Sequence, residues 1–307
     1  MERQYDLVII GSGPAGMSAS IYASRAGLKT AMLDLGAPGG KLNKTSEIAN
    51  WPGILSGSGM DLANAMFEHA TAFGSEYIYG NVVKVVDGET HKTVICEDGE
   101  TYRAKAVIVA SGTKERTLNI PGEEANVGRG VSYCAVCDGA FFKNREVAVI
   151  GGGNAALEEA EYLTQFADKV YIVIRRDVFR ADQIVQDRII TNSKIDIIRC
   201  HVPRRIDDDG TRVTGIVIAD VNTQTETTLN VQGIFPYIGQ DPATDFLADL
   251  DVLDEQGYIK VDANCETTCH GIYGAGDVIV KPLRQVVTAV NDGAIAAQHA
   301  FHQVRGI

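Results

Sequence analysis

At 307 residues, 45% of them hydrophobic and 22% charged, the chain is long enough for two domains with sizeable cores and has the composition of an ordinary globular protein. A formal net charge of −12 argues against nucleic acid or an anionic membrane as a partner, because the long-range field repels both. No stretch approaches the roughly 18 to 20 apolar residues of a membrane span, and the apolar run Leu7 to Ile10 is too short for a signal peptide. The expectation is a cytoplasmic protein. Its six cysteines are too sparse for a disulfide scaffold, so a paired cysteine motif points to redox chemistry or metal binding.

Tyr5 to Ile10 is an apolar, β-branched run suited to a strand buried on both faces. Gly11-Ser12-Gly13-Pro14-Ala15-Gly16 then opens a helix through about Ala26, which Gly27 stops. The strand Lys29 to Leu33 follows and ends in Asp34, where an acid would hold a ribose hydroxyl. Strand, glycines, helix, strand and terminal acid together make a dinucleotide-binding signature far more specific than the glycines alone. A glycine-rich loop at Gly36 to Leu42 is followed by a helix over Asp61 to Phe73. Short strands around Ile78 to Val86, Thr93 to Cys96 and Tyr102 to Val109 read as a β-meander with turns at Asp87-Gly88 and Asp98-Gly99.

The polar segment Lys114 to Gly122, which contains Pro121, marks a domain boundary. Beyond it the opening grammar repeats. Arg145 to Ile150 is a strand, Gly151-Gly152-Gly153-Asn154-Ala155-Ala156 a turn, Leu157 to Phe166 a helix and Lys169 to Ile174 the next strand. The repeat implies two dinucleotide-binding domains of similar topology. This strand ends in Arg175-Arg176-Asp177 with Arg180 nearby, and guanidinium groups would pair with a 2′-phosphate. The second site is therefore expected to prefer NADP(H) to NAD(H). Short strands fill Lys194 to Leu229, and a strand over Gly233 to Gly239 runs into a second hinge at Gln240 to Asp245. Gly271 to Asp277 reads as a strand ending in a carboxylate able to reach a ribityl chain, and a last helix spans about Arg284 to Val304. The expected fold is α/β, with two Rossmann-like domains of three-layer ββα type. Residues 1–113 and 245–307 would form one of them, and 114–244 the other, inserted into it.

Between the two signatures lies Cys134-Ala-Val-Cys137, followed by Asp138-Gly139. Two cysteines at this spacing can close a small ring and so store and release two electrons as a disulfide. Zinc binding by these cysteines with Cys265, Cys269 and His270 is the rival reading. Cys96 and Cys200 are expected to be buried structural thiols.

Gly11 to Gly16, the run Gly-Val-Ser-Tyr-Cys-Ala-Val-Cys-Asp-Gly-Ala-Phe-Phe at 130 to 142, Arg-Arg-Asp-x-x-Arg-Ala at 175 to 181 and Gly-Ala-Gly-Asp at 274 to 277 resemble the low-molecular-weight thioredoxin reductases of bacteria. The resemblance spans essentially the whole chain. It implies a homodimer with FAD in the domain made of both chain ends and NADPH in the inserted one. The implied electron route is NADPH, FAD, the Cys134–Cys137 disulfide, then thioredoxin. By position, Cys137 would meet the flavin, Cys134 would attack the partner disulfide and Asp138 would serve as acid and base. The implied FAD contacts are Gly11, Ser12, Gly13, Pro14, Ala15, Gly16, Asp34, Gly39, Gly40, Lys41, Asn50, Gly112, Asp277, Arg284, Gln285 and Val286. Those to NADPH are Gly151, Gly153, Asn154, Ala155, Ala156, Arg175, Arg176 and Arg180. The resemblance also implies rotation of the inserted domain about the two hinges. The chain departs from the family in having Lys41 for a usual glutamine, Ala155 for a usual serine and Ile174 for a usual histidine. Those departures leave open another electron donor, NADH or ferredoxin, or a different thioredoxin-like substrate.

Overall fold

The computed structural model describes residues 2–45 and 48–307. In chain order the elements are β1 (Glu2–Ile10), α1 (Pro14–Arg25), β2 (Thr30–Asp34), α2 (Gly59–Thr71), β3 (Glu76–Tyr79), β4 (Val82–Asp87), β5 (Lys92–Cys96), β6 (Thr101–Val109) and β7 (Thr113–Glu115). There follow α3 (Ala135–Asp138), β8 (Glu146–Ile150), α4 (Asn154–Leu163), β9 (Lys169–Val173), α5 (Gln183–Thr191), β10 (Ile195–Ile198), β11 (His201–Asp208), β12 (Val213–Asp220) and β13 (Glu226–Leu229). The last are β14 (Gly233–Pro236), β15 (Gln240–Pro242), β16 (Ile272–Gly274) and α6 (Val286–Arg305). The chain divides into two compact units. One comprises the residues up to Lys114 together with Asp241–Ile307, and the other is Glu115–Gln240.

In the terminal unit β3, β2, β1 and β6 lie side by side in parallel. β6 then has two partners along its length. Its first half pairs antiparallel with β5, Lys92 facing Ala104, while its last residues pair in parallel with β16, Ile272 facing Val107. Side chains alternate across the sheet, as strand geometry requires. Leu7 and Ile9 pack with α1, α2 and α6, whereas Val8 and Ile10 pack with residues of the β4–β5 hairpin and with Leu247, Val252 and Ile259. That is a three-layer ββα arrangement. Small residues bring α1 and α6 together: a Cβ on Gly293 would lie 2.1 Å from the Ala15 carbonyl oxygen.

The inserted unit repeats the plan. β10, β9, β8 and β14 form a parallel sheet. Val147 and Val149 face α4 and α5, and Ala148 and Ile150 face the antiparallel sheet of β11, β12 and β13. Both Rossmann-like folds and the three layers agree with the reading from sequence. Helix bounds shift by a few residues: α4 begins at Asn154, not Leu157, and α6 at Val286, not Arg284. The sequence reading had no counterpart to α5. Its apolar residues point both ways, Val185 and Ile189 inward and Ile184 and Ile190 into solvent, so no clean helical stripe marks it. Among the described residues no helix is long and apolar enough to cross a membrane.

Candidate functional site

The redox element is a single turn of helix. Cys134 and Cys137 are joined as a disulfide. Cys134 is the N-cap of α3, and its Sγ accepts the Cys137 N–H at 3.1 Å. Three further N–H groups of the turn are also engaged. Cys134 N–H donates to Ser132 Oγ at 3.1 Å, Ala135 N–H to the Tyr237 hydroxyl at 3.1 Å and Asp138 N–H to the Cys134 carbonyl at 3.2 Å. One of these bonds is to the turn's own backbone and the others are to side-chain atoms, and together they brace the turn around the closed disulfide. Cys134 is buried at 8% exposure while Cys137 is exposed, so the oxidised turn presents Cys137 to solvent.

Cys265 and Cys269 are free thiols in the terminal unit. Burial pushes the Cys265 thiol up to about 12, with Asp292 adding to the shift. Among the described residues no group of three or more His, Cys, Asp or Glu is placed to hold a metal. Cys96 is buried and raised to about 11, chiefly by that burial. Cys200 departs from expectation: it is only partly buried, because it sits at the turn into β11 with φ +57°.

The two glycine turns share one construction. Gly11 has φ +108°, and a Cβ there would lie 2.3 Å from the Ala110 carbonyl oxygen; a Cβ on Gly16 would lie 1.9 Å from the Gly11 oxygen. The first and third glycines therefore let backbone meet backbone. Gly13, the second, has nothing within 4 Å of an added Cβ. It caps α1 without any side-chain bond to the first-turn N–H groups, and Pro14 follows at the first helical position. In the inserted unit Gly151, at φ +145°, lies against the Tyr237 carbonyl, whereas Gly153 faces open space and caps α4 with no side-chain bond. Open space before uncapped helix N–H groups is what a dinucleotide's phosphates require, so both turns fit the group expected of them.

Side chains around the first turn converge on the carboxyl ends of β1, β6 and β16. Asp34 Oδ2 accepts both the N–H and the Oγ–H of Ser12, each at 2.6 Å, and Oδ1 accepts the Gly36 N–H at 3.0 Å. The acid thus braces the turn. Gly39 donates its N–H to the Ser12 carbonyl, and Gly40 packs on Gly13. Lys41 reaches across to Thr113 Oγ1 and forms an ion pair with Asp277 at 3.2 Å. Arg284 donates to the Asp277 and Ile279 carbonyls and lies over the Tyr258 ring. Asn50 donates to Gln285 Oε1 at 3.0 Å, and Gln285 precedes Val286 in the capping box of α6. Gly112 sits in the loop after β6 at φ +68°. Sequence reasoning missed Thr113 as part of this cluster; its place at the end of a central strand was the available signal.

Around the second turn, Arg180 donates its N–H to the Gly152 carbonyl at 2.7 Å. Asn154 exchanges two bonds with Asp182, at 2.7 and 2.9 Å. These bonds fasten the arginine loop to the glycine turn. Arg175, Arg176 and Arg180 are exposed, and among the described residues none has an acid partner. Ala155 is exposed in the first turn of α4, beside the buried Ala156. Ile174 packs on Gly152. A fourth guanidinium, that of Arg199, stacks on Phe179 and donates to the Asp177 carbonyl. It was missed because it lies just past β10, one strand further along the sheet.

Residues 5–293 match the pyridine nucleotide-disulphide oxidoreductase family. The thioredoxin reductase of Listeria monocytogenes is 49% identical over 97% of this chain and 93% of its own length. That of Bacillus subtilis is 46% identical over 99% and 96%. The crystal structure of Lactococcus lactis thioredoxin reductase superposes with a TM-score of 0.96 at 46% identity, covering 99% of this chain and all of the other.

Proposed function

The chain belongs to the pyridine nucleotide-disulphide oxidoreductase family, is a flavin-dependent disulfide reductase and uses FAD and NADPH, and we propose that it passes electrons from NADPH to the disulfide of a thioredoxin-like protein. The observation that carries this is the closed Cys134–Cys137 disulfide in a turn where the Cys137 N–H meets Cys134 Sγ, in a chain with two phosphate-ready glycine turns. FAD, when bound, relays two electrons between a nicotinamide hydride and a disulfide.

FAD is assigned to the terminal unit. The first-turn N–H groups of α1, with Gly11 to Gly16, would take its pyrophosphate, while Asp34 keeps the turn in shape. Gly39, Gly40, Lys41, Asn50, Gly112, Asp277, Arg284, Gln285 and Val286 would line the remainder. NADPH is assigned to the inserted unit, with Gly151, Gly153, Asn154, Ala155 and Ala156 at the pyrophosphate. Arg175, Arg176 and Arg180 are exposed and, among the described residues, have no acid partner, the state in which guanidinium groups best meet a 2′-phosphate. This supports NADPH over NADH although Ile174 offers no polar contact.

Once the disulfide is reduced, the Cys134 thiolate attacks one sulfur of the partner disulfide and a partner thiolate leaves. The Cys137 thiolate then attacks Cys134 Sγ, the second partner thiolate leaves, and the ring closes again. The Cys137 N–H favours charge on Cys134, which is why the first attack is given to it. Exposure alone would rank the two cysteines the other way. Asp138, directly after the pair, would take and return the thiol proton. Reduced Cys137→Ser protein should trap an oxidised thioredoxin as a stable mixed disulfide through Cys134, whereas Cys134→Ser should not. Trapping only by Cys134→Ser would reverse the two roles. The same reading places the protein in a reducing cytoplasm as a homodimer, without nucleic-acid or membrane partners.

A further inference from the structure

The residues assigned to FAD leave one buried ion pair of the terminal unit unused. Asp292 stands on α6, and its Oδ2 accepts the Gly276 N–H at 3.1 Å together with the ammonium of Lys281. Both side chains of the pair are about nine-tenths buried. A single carboxylate oxygen thus ties together the two ends of the segment 276–281, which carries the Asp277 carboxylate. The rest of that segment is held by other partners. Arg284 donates to the Asp277 and Ile279 carbonyls, and Ile259 exchanges backbone bonds with Val278 and Val280, each at 3.0 Å. The Gly276 N–H goes to Asp292.

Gly276 is where the loop after β16 meets α1 and α6. It has φ +84°, and a Cβ there would lie 2.8 Å from the Ala15 Cβ and 3.7 Å from that of Ala289. Ala15 belongs to the first turn of α1, whose N–H groups no side chain caps. A displacement of Gly276 would therefore shift Asp277 against the turn assigned to the FAD pyrophosphate. Stability alone does not call for such a pair. Desolvating two charges offsets their attraction, and well-packed apolar residues in their place are often neutral or stabilising. What apolar residues cannot supply is an acceptor for the Gly276 N–H.

We propose that Asp292, its charge compensated by Lys281, is a positioning residue for FAD: it fixes the Gly276–Asp277 backbone against α1 before the cofactor arrives. This rests on the assignment of FAD to the terminal unit. Holding the backbone in advance spares the cofactor the cost of ordering it, so the pair acts on affinity without touching FAD.

Two double substitutions separate this role from stability. Lys281→Met with Asp292→Leu makes the pair apolar and leaves the Gly276 N–H without its acceptor. Lys281→Gln with Asp292→Asn removes both charges and keeps an amide oxygen for that N–H. Urea melts of flavin-free protein read stability, and FAD titrations followed by flavin fluorescence read affinity in protein that the melts show to be folded. The apolar pair should melt near wild type yet bind FAD about tenfold or more weakly. The neutral pair should bind FAD to within about threefold of wild type. If leucine is not accommodated on α6, Lys281→Met with Asp292→Ala carries the test. Wild-type affinity in the apolar pair, or equal weakening in both pairs, would overturn the inference. Gly13→Ala serves as the control for the assignment beneath it. Weakened binding there, with the apolar pair unchanged, would overturn the positioning role alone. Wild-type affinity in both would overturn the placement of FAD in this unit as well.

Discussion

Substituting alanine at Gly13 and at Gly16, three residues apart in one turn, should have opposite consequences. At Gly16 the new methyl would sit 1.9 Å from the Gly11 carbonyl oxygen, where real Cβ atoms do not come within 3.0 Å, so turn and helix must part by about 1 Å. Both surfaces are backbone and neither can swing aside. The cost should lie at or above the top of the usual range for overpacking, about 3 kcal/mol, with the flavin-free protein melting several degrees lower. Gly13 has φ −73° in an extended conformation that alanine adopts freely, and its methyl would meet no atom within 4 Å. Flavin-free Gly13→Ala should match wild-type stability to within about 0.5 kcal/mol. Its methyl instead fills the space left for phosphate. Each lost charge-assisted hydrogen bond is worth about 1.5–3 kcal/mol, so FAD should bind roughly 10- to 150-fold more weakly per bond lost. Thermal melts of flavin-free protein and FAD titrations followed by flavin fluorescence separate the two effects. Wild-type FAD affinity in Gly13→Ala, or wild-type stability in Gly16→Ala, would refute the construction of the turn.

Two further outcomes follow from the inserted unit. Replacing Arg175, Arg176 or Arg180 with glutamine should raise KM for NADPH about tenfold or more per lost bidentate contact and leave KM for NADH nearly unchanged, as initial rates with each nucleotide will show. Burial, and then Glu158, pushes the Glu159 carboxyl on α4 up to about 8, and this should appear in stability. Between about 4.5, where it titrates in the unfolded chain, and about 8, where it titrates in the folded one, the native state holds the extra proton. Stability should therefore fall as pH rises through that window, by several kcal/mol at most, and level off above it. Urea melts across the window should show Glu159→Gln losing less stability between its two ends than wild type; an equal loss would assign the trend elsewhere.

Much of the architecture is legible in the chain because it is written twice in local patterns. Tyr5 to Ile10 and Arg145 to Ile150 are apolar strands, and each runs into glycines that only a close backbone approach would demand. The doubled strand–turn–helix unit suffices to name the fold class. The arginines after Ile174 are legible for a similar reason, since a strand end fixes where they stand. What stayed hidden depends on segments distant in sequence. Lys41 meets Asp277 across 236 positions, and Asn50 meets Gln285 across 235, with no periodicity to announce either. Tyr237 reads from sequence as one more strand residue, and only its bond to Ala135 connects it with the cysteines. Glu159 stands in a run of acids beside Glu158, with nothing in the sequence to set it apart, yet one of its oxygens is sealed from water. The α5 helix escaped because its apolar residues are split between the core and solvent.

The most direct measurement is an anaerobic titration of the FAD-loaded protein with NADPH, followed in the visible flavin band and run in parallel on Cys137→Ser. NADPH should bleach the band in both. Wild type should consume one more equivalent than the variant, because its disulfide takes two electrons beyond those the flavin holds. Failure of NADPH to bleach the band, or equal consumption by the two proteins, would contradict an electron route from NADPH to Cys134–Cys137.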